Sequence, residues 1–167
     1  MTTQTPTQTR SINILALAAA LGAAVLFAVS LWGPAWLFIP ANPAPPIPAM
    51  ALDFSGLDTA VHSGMAPTNG FQQSYFGWLA WTTAIICTIL TFASSILARK
   101  AIATATIIVG IVGLVFLVFG TKGPLGWSAY IDQIPNLRAG SYLSIVALLL
   151  VVASGLVSSS PQVTARN

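Results

Sequence analysis

Residues 101–120 read AIATATIIVGIVGLVFLVFG, and this run of twenty residues without a charged side chain decides the fold. An α-helix rises about 1.5 Å per residue, so the run matches the roughly 30 Å hydrocarbon core of a bilayer. Lipid offers the backbone no hydrogen-bond partners, and a helix satisfies its own N–H and C=O groups. The segment therefore predicts a transmembrane helix.

Three further segments share this character, namely Ser11–Ile39, Tyr75–Ala98 and Gly140–Ser158. The chain is 56% apolar and only 5% charged, whereas a soluble domain carries about 25% charged residues. The six basic residues are too scattered to form the basic face that nucleic-acid binding requires. The sequence predicts an all-α integral membrane protein with four transmembrane helices and no nucleic-acid partner.

The first segment has an alternative interpretation as a secretory signal, because Ala49 and Ala51 form a small-residue site after it. The apolar region of a signal is about 7–15 residues long, and residues 11–39 far exceed that length. The segment also contains Trp32 and Trp36. We therefore expect it to remain as a membrane anchor.

The orientation follows from the charges of the connections. One side of the membrane receives basic residues and no acid: Arg10, Arg99, Lys100 and Arg166. The other side receives all three acids, Asp53, Asp58 and Asp132, with Lys122 and Arg138. The positive-inside rule then predicts that both termini are cytoplasmic. All five tryptophans fall near the opposite, outer ends of the spans, where amphipathic rings anchor at the headgroups: Trp32, Trp36, Trp78, Trp81 and Trp127.

This topology divides the chain into cytoplasmic tails, spans and two outer connections. The tails are residues 1–10 and 159–167, and a helical hairpin over 75–120 holds the second and third spans. The outer connections are a proline-rich loop over 40–74 and a loop over 121–139.

The proline-rich loop opens with PANPAPPIP at Pro40–Pro48. Proline at that density favours a polyproline conformation, which predicts a semi-rigid strut leading away from the membrane. The remainder, Met50–Phe71, mixes apolar residues with Gly and Ser. It indicates a short helix or lid packed on an apolar surface.

The second outer connection contains a short amphipathic pattern. Trp127, Tyr130, Ile131 and Ile134 share one helical face. They predict a short helix lying in the outer interface, which Pro135 ends.

Few residues could carry chemistry. The interiors of the spans contain no Asp, Glu, His, Lys or Arg, and such residues usually mark transport and proton pathways. Cys87 is the only cysteine and His62 the only histidine, so a bis-histidine haem site cannot form within this chain. If their stretch is helical, Asp58 and His62 lie four residues apart and form a structural pair. A proton-carrying or cation-coordinating role is the alternative.

Two kinds of surface are candidates for contact with other proteins. Small residues line the spans, as in residues 18–24 and at Gly110 and Gly113, and they allow close helix contact within a bundle or with a neighbour. The outer loops also carry more apolar side chains than solvated connections need. The predicted docking residues are Leu52, Phe54, Leu57, Phe71, Trp127 and Tyr130.

Several stretches resemble the small accessory subunits of the actinobacterial cytochrome bcc–oxidase supercomplex. They are the Thr/Gln-rich leader Met1–Arg10, the proline-rich Pro40–Pro48, FGWLAW at Phe76–Trp81, ARKA at Ala98–Ala101 and LRAGSYL at Leu137–Leu143. The resemblance implies a multi-pass protein of the bacterial plasma membrane that has no cofactor of its own. It further implies that haem, copper and quinone are bound by neighbouring subunits.

The functional expectation is a non-catalytic structural subunit of a larger bacterial membrane complex, of the respiratory kind. It would contact other integral membrane subunits, among them cytochrome bcc and oxidase subunits, as well as lipids. Two alternatives remain open, a transient assembly factor for such a complex and a small transporter or channel.

Overall fold

A computed structural model describes residues 14–43, 46–64, 67–97 and 99–160. The predicted tails fall largely outside these residues. In chain order the elements are α1 (Ile14–Trp32), β1 (Leu37–Ile39), β2 (Asn42–Pro43), β3 (Pro46–Ile47), β4 (Met50–Leu52), α2 (Phe54–His62), α3 (Gly70–Ser74), a π-helical turn (Tyr75–Leu79), α4 (Ala80–Leu97), α5 (Lys100–Lys122), α6 (Trp127–Gln133), a 3-10 turn (Ile134–Asn136) and α7 (Ala139–Ser159).

Four helices are long and apolar enough to cross a membrane, which confirms the predicted number of such helices and is compatible with a multi-pass membrane protein. They are α1, the continuous helix Gly70–Leu97 that combines α3, the π turn and α4, then α5 and α7. The second of these begins five residues before its predicted start at Tyr75. Asn69 caps it, because its side chain accepts a hydrogen bond from the Gln72 N–H.

The four helices form an antiparallel bundle. Ser30, near the end of α1, contacts Ser144 near the start of α7, whereas Ser154, near the end of α7, donates to the Ala16 carbonyl. Thr106 of α5 likewise donates to the Leu90 carbonyl of α4. All the connections other than the turn at Arg99 therefore lie at one end of the bundle, which we call the capped end.

Small residues bring the helices together. A methyl group added at Gly110 would lie 2.7 Å from Val152, one at Gly113 2.6 Å from Leu148, and one at Gly155 2.7 Å from Ile107. Ala16, Ala20 and Ala23 of α1 are completely buried. Of the two uses predicted for small residues, these ones serve close packing within the bundle. The prediction that such faces dock a partner is wrong for them, because neighbouring helices already cover them.

The first span ends seven residues before its predicted limit at Ile39. α1 stops at Trp32, and Gly33 and Pro34 follow. Proline cannot continue a helix, since it lacks an N–H and its ring clashes with the preceding turn. The apolar residues that extended the hydropathy signal, Leu37–Ile39, form strand β1 instead.

The proline-rich segment is a β-hairpin rather than a polyproline strut. Leu37 pairs with Leu52 and Ile39 with Met50, while Asn42 pairs with Ile47 and Pro43 with Pro46. All these pairs share one antiparallel register, so residues 37–43 and 46–52 make one ribbon, here called the hairpin. Its ladder is interrupted around Pro40 and Pro48, which have no N–H to donate. The fold is therefore not purely helical.

The other connections follow the sequence more closely. The short helix expected between Met50 and Phe71 is α2, and its apolar side, Phe54, Leu57 and Val61, is buried. Asp53 caps it by accepting a hydrogen bond from the Gly56 N–H. α6 confirms the short helix in the second connection, and a 3-10 turn containing Pro135 follows it. The tight turn between the second and third spans lies at Arg99, which precedes α5.

Candidate functional site

The capped end carries most of the features that could serve a function. The bundle contributes the end of α1, the start of the second span, the end of α5 and the start of α7. The hairpin, α2 and α6 lie at this end, and together with the loops between them we call them the cap. The cap surrounds Trp36, whose side chain is 1% exposed.

Trp36 joins three parts of the chain by hydrogen bonds. Its indole Nε1–H donates to the Ser30 carbonyl of α1 at 2.7 Å, and its backbone N–H donates to the Leu52 carbonyl at 2.7 Å. Its own carbonyl accepts from the Arg138 N–H at 2.9 Å and from the Ser141 hydroxyl at 2.8 Å. The base of the hairpin is thereby fixed to the first and fourth spans.

Gly140 makes this arrangement possible, because a methyl group at its Cα would lie 2.2 Å from Cδ1 of Trp36. The Gly140 carbonyl accepts a hydrogen bond from the Ser30 hydroxyl at 2.7 Å, and its N–H donates to the Ala35 carbonyl at 2.9 Å. α7 therefore begins in direct contact with the Trp36 ring.

Aromatic rings form the interior of the cap. The Trp36 ring lies 5.2 Å from that of Phe54 and 6.1 Å from that of Phe76, measured between centroids, with edge-to-face geometry. Trp81 adds a further edge-to-face contact to Phe54 at 6.0 Å. Such pairs stabilise a core beyond the area they bury, so the cap is a packed unit rather than a loose lid.

The predicted docking residues fall into two groups. Phe54, Leu57 and Tyr130 are buried in the cap and Leu52 is half-buried. The prediction that the buried three present a docking surface is wrong in this structure, because they pack against the chain's own core.

Phe71 and Trp127 have accessible side chains, 37% and 55% exposed. Both approach Phe119, at 6.3 and 6.1 Å between ring centroids, and form with it an exposed aromatic patch. Their role in contact with a partner stays a prediction.

The tryptophans cluster at the capped end as expected, but only some of them are exposed. Trp32, Trp78 and Trp127 are more than half exposed, and Tyr142 is nearly so. Such rings suit the headgroup layer. Trp81 is partly buried against the core, and Trp36, which the sequence places at the interface, lies in the core. Its position just past the Gly33–Pro34 break is the one sequence signal that could have separated it from the others.

Asp58 and His62 lie four residues apart on α2, as expected, on the side facing the π turn. His62 Nδ1 lies 2.9 Å from the Asp58 backbone carbonyl and 2.9 Å from its carboxylate Oδ1. The carbonyl has the better hydrogen-bond geometry, so Oδ1 is left without a hydrogen bond. A methyl group at Gly77 would lie 3.4 Å from the imidazole, so the pair rests on the start of the second span.

The chemistry available to this pair is limited. Within the described part of the chain, no group of three or more His, Cys, Asp or Glu side chains could hold a metal ion. Both side chains are roughly half exposed, and an exposed pair of this kind stabilises a fold by at most about 1 kcal/mol. Cys87, by contrast, is fully buried inside the second span.

A cavity of about 360 Å³ lies between the cap and the end of the bundle. Apolar side chains make up most of its wall, including Trp36, Leu57 and Phe76. Its polar residues include Gln72, Lys122 and Gln133. A largely apolar cavity with a few polar groups is the usual form of a small-molecule site.

No family model matches this sequence, and neither the curated proteins nor the solved structures include a match to it.

Proposed function

We propose that the chain is a non-catalytic structural subunit of a larger membrane complex and that it docks through the hairpin. The observation that carries this proposal is the contrast between the two ends of the hairpin. Its base is held by Trp36 and the fourth span, whereas Pro40, Ala41, Pro46, Pro48 and Ala49 are exposed.

Several contacts fix the base of the hairpin. Leu37 forms a β-bridge with Leu137, and the Arg138 guanidinium lies 4.8 Å from the centre of the Phe38 ring. A segment that is already ordered loses little conformational entropy when it binds. The hairpin is thus suited to present a fixed surface to a partner.

The prolines also limit how a partner could bind. An exposed strand edge invites pairing with another strand, and proline blunts such an edge because it donates no hydrogen bond. The sequence of the hairpin contains five prolines, none of which has an N–H to donate: Pro40, Pro43, Pro45, Pro46 and Pro48. We therefore expect the partner to contact side chains of the tip rather than to add a strand.

The kind of complex is the more specific part of the proposal. The resemblance to accessory subunits of the actinobacterial bcc–oxidase supercomplex favours a respiratory complex in a bacterial plasma membrane. The spans have no Asp, Glu, His, Lys or Arg in their interiors, which fits a subunit whose neighbours bind the haem, copper and quinone. Tight helix contacts at Gly110, Gly113 and Gly155 speak against a pore at those levels of the bundle.

The proposal includes an orientation with the cap outside the cytoplasm. A matched pair of single-cysteine variants tests it, Ser128→Cys on α6 and Lys100→Cys at the other end of the bundle. Both positions are exposed, and Cys87 is replaced by Ala so that one thiol remains. A membrane-impermeant maleimide should label position 128 in intact cells and position 100 only after lysis. The reverse pattern would contradict the orientation.

Shortening the hairpin tests the docking surface. Because Ile39 and Met50 are paired, residues 40–49 can be replaced by Asn-Gly, the preferred two-residue turn between antiparallel strands. A second variant keeps the original length, with residues 40–49 replaced by ten Gly and Ser residues. In mild detergent, native electrophoresis should show wild-type chain in a haem-containing complex and both variants released as folded monomers.

The alternatives predict different results in the same experiment. Full recovery of the Asn-Gly variant in the complex would overturn docking through the hairpin. A substoichiometric wild-type chain would indicate an assembly factor, and a wild-type monomer that conducts ions in liposomes would indicate a channel.

A further inference from the structure

The cavity beneath the cap is apolar inside, although four of its lining residues are polar and uncharged. The hydroxyls of Thr121 and Ser141 both donate to backbone carbonyls of the protein. The Oε1 atoms of Gln72 and Gln133 are enclosed by protein atoms. The other lining residues are apolar apart from Lys122, so the cavity presents mainly carbon to an occupant.

The cavity has a deep side and an open side. Trp36, Leu57 and Phe76 line it and are buried in the fold. Pro67 and Pro124 also line it and are exposed, so they mark its mouth, between the start of the second span and the end of α5. An apolar cavity holds water poorly and accepts apolar molecules instead.

The size of the cavity limits what can fill it. Its volume is about 360 Å³. A water molecule takes about 30 Å³ of the liquid, and a methylene group is of similar size. The cavity therefore holds about a dozen methylene groups, which corresponds to one acyl chain and not to two.

One positive charge lies at the edge of this apolar space. Lys122 lines the cavity, and its Nζ lies 5.2 Å from the centre of the exposed Trp127 ring, which is not on the wall. The stem of a lysine commonly covers an apolar surface while its ammonium group stays at the edge. No carboxylate is among the described residues that line the cavity. An occupant with an apolar chain and an anionic end would match this arrangement.

The surroundings of the mouth indicate where such a molecule comes from. The exposed aromatic patch of Phe71, Phe119 and Trp127 lies beside Lys122. Exposed rings at the ends of spanning helices suit the headgroup layer of a membrane. Molecules with one apolar chain and one charged end collect in that layer, so they reach the mouth directly.

We propose that this cavity binds the chain of a free fatty acid, whose carboxylate pairs with Lys122 at the mouth. A carboxylate joined directly to the chain can reach Lys122 while the chain fills the cavity. In a phospholipid, a polar glycerol backbone separates the phosphate from the acyl chains, and this apolar wall offers it no partners. The inference does not depend on the proposed partner complex.

Quenching of Trp36 fluorescence tests the site in full-length protein held in phosphatidylcholine nanodiscs. The variant keeps Trp36, which lines the cavity, and the other four tryptophans become Phe. A fatty acid brominated along its chain should quench Trp36 to saturation, and excess unbrominated fatty acid should reverse the quenching. A matched variant that keeps only the exposed Trp78 should show quenching that rises in proportion to the bromine in the membrane.

Proportional quenching of Trp36, like that of Trp78, would overturn the proposal. Saturable quenching by a chain-brominated phospholipid at the same concentration would also overturn it, because the occupant would then be a phospholipid. If the single-tryptophan variants do not fold, native mass spectrometry of the wild-type protein decides. Retention of one fatty acid supports the site, and retention of none rejects it.

Chain length tests the volume of the cavity. At equal amounts in the membrane, a fatty acid of about eight carbons leaves part of the cavity empty, and it should bind about tenfold or more weakly than one of about fourteen. Further lengthening should add nothing, because the cavity is then full. Equal binding of the short and the long acid would contradict a chain held in the cavity.

The two ends of α5 supply the charge control. Lys122→Gln should weaken fatty-acid binding about threefold, as expected for a partly exposed ion pair, and should leave binding of the matched fatty alcohol unchanged. Lys100→Gln, at the opposite and exposed end of α5, should change neither. Equal effects of the two variants, or no effect of Lys122→Gln, would reject the pairing with Lys122.

Discussion

The bundle and the cap are held together in different ways. In the bundle, helices approach through alanine, glycine and serine, and the contacts are spread over four long elements. In the cap, residues from distant parts of the sequence meet at Trp36, which takes part in four hydrogen bonds. The bundle should therefore tolerate single substitutions that the cap does not, and the cap should fail as a unit.

The largest difference is expected for Trp36→Ala compared with Trp32→Ala. Trp36 is 1% exposed and Trp32 77% exposed, although both lie at the end of the first span. Removing a buried Trp costs about 3–5 kcal/mol of unfolding free energy, and the exposed ring should cost far less. Unfolding by SDS titration in mixed micelles measures both. Equal losses would show that Trp36 is not the centre of the cap.

The next prediction compares Gly126, within the second connection, with Gly140, directly after it. Gly140→Ala places a methyl group against the Trp36 ring, whereas nothing lies within 4 Å of a methyl group at Gly126. Overpacking costs about 1–3 kcal/mol, so Gly140→Ala should lower the unfolding free energy and Gly126→Ala should leave it nearly unchanged. The same titration checks this. A stable Gly140→Ala variant would mean that the cap can shift away from α7.

A smaller effect is expected from Ser30→Ala compared with Ser154→Ala. Ser30 donates to Gly140 and contacts Ser144, both at 2.7 Å, whereas Ser154 makes one bond, to the Ala16 carbonyl at 3.1 Å. Hydrogen bonds between membrane helices average about 0.6 kcal/mol each. Ser30→Ala should thus cost more than Ser154→Ala. The reverse order would mean that the serine hydrogen bond at the end of the bundle opposite the cap contributes more to stability.

The smallest effect is expected at His62. Because the pair with Asp58 is about half exposed, His62→Ala should change the unfolding free energy by less than about 1 kcal/mol. It should leave recovery in the complex unchanged on native gels. Loss of the complex without loss of stability would instead give His62 a role in contact with the partner.

The same comparison explains how far the sequence could predict the structure. Hydropathy indicates directly which segments suit a lipid environment, so the four long apolar helices were predictable. The helix α2 was predictable from residue type and spacing. Residues 37–39 were misassigned to the first span, because an apolar strand and an apolar helix end have the same hydropathy. Only the break at Gly33–Pro34 distinguishes them.

The hairpin and the cavity could not be predicted in this way. Pairing of Leu37 with Leu52 depends on a contact between distant residues, and proline composition alone favours a polyproline strut. Gln72 and Gln133 are ordinary polar residues in the sequence. Only the fold brings them to the wall of one cavity.

Site-specific photo-crosslinking in native membranes tests the central claim, docking through the hairpin, most directly. A photoreactive residue replaces Ala49, which is exposed in the hairpin next to the Ile39–Met50 pair, or Ile89, which is exposed in the middle of the second span. We predict that position 49 crosslinks in high yield to one integral membrane subunit that migrates with haem on native gels, and that position 89 labels mainly lipid. A specific protein crosslink from position 89 and none from position 49 would contradict the account.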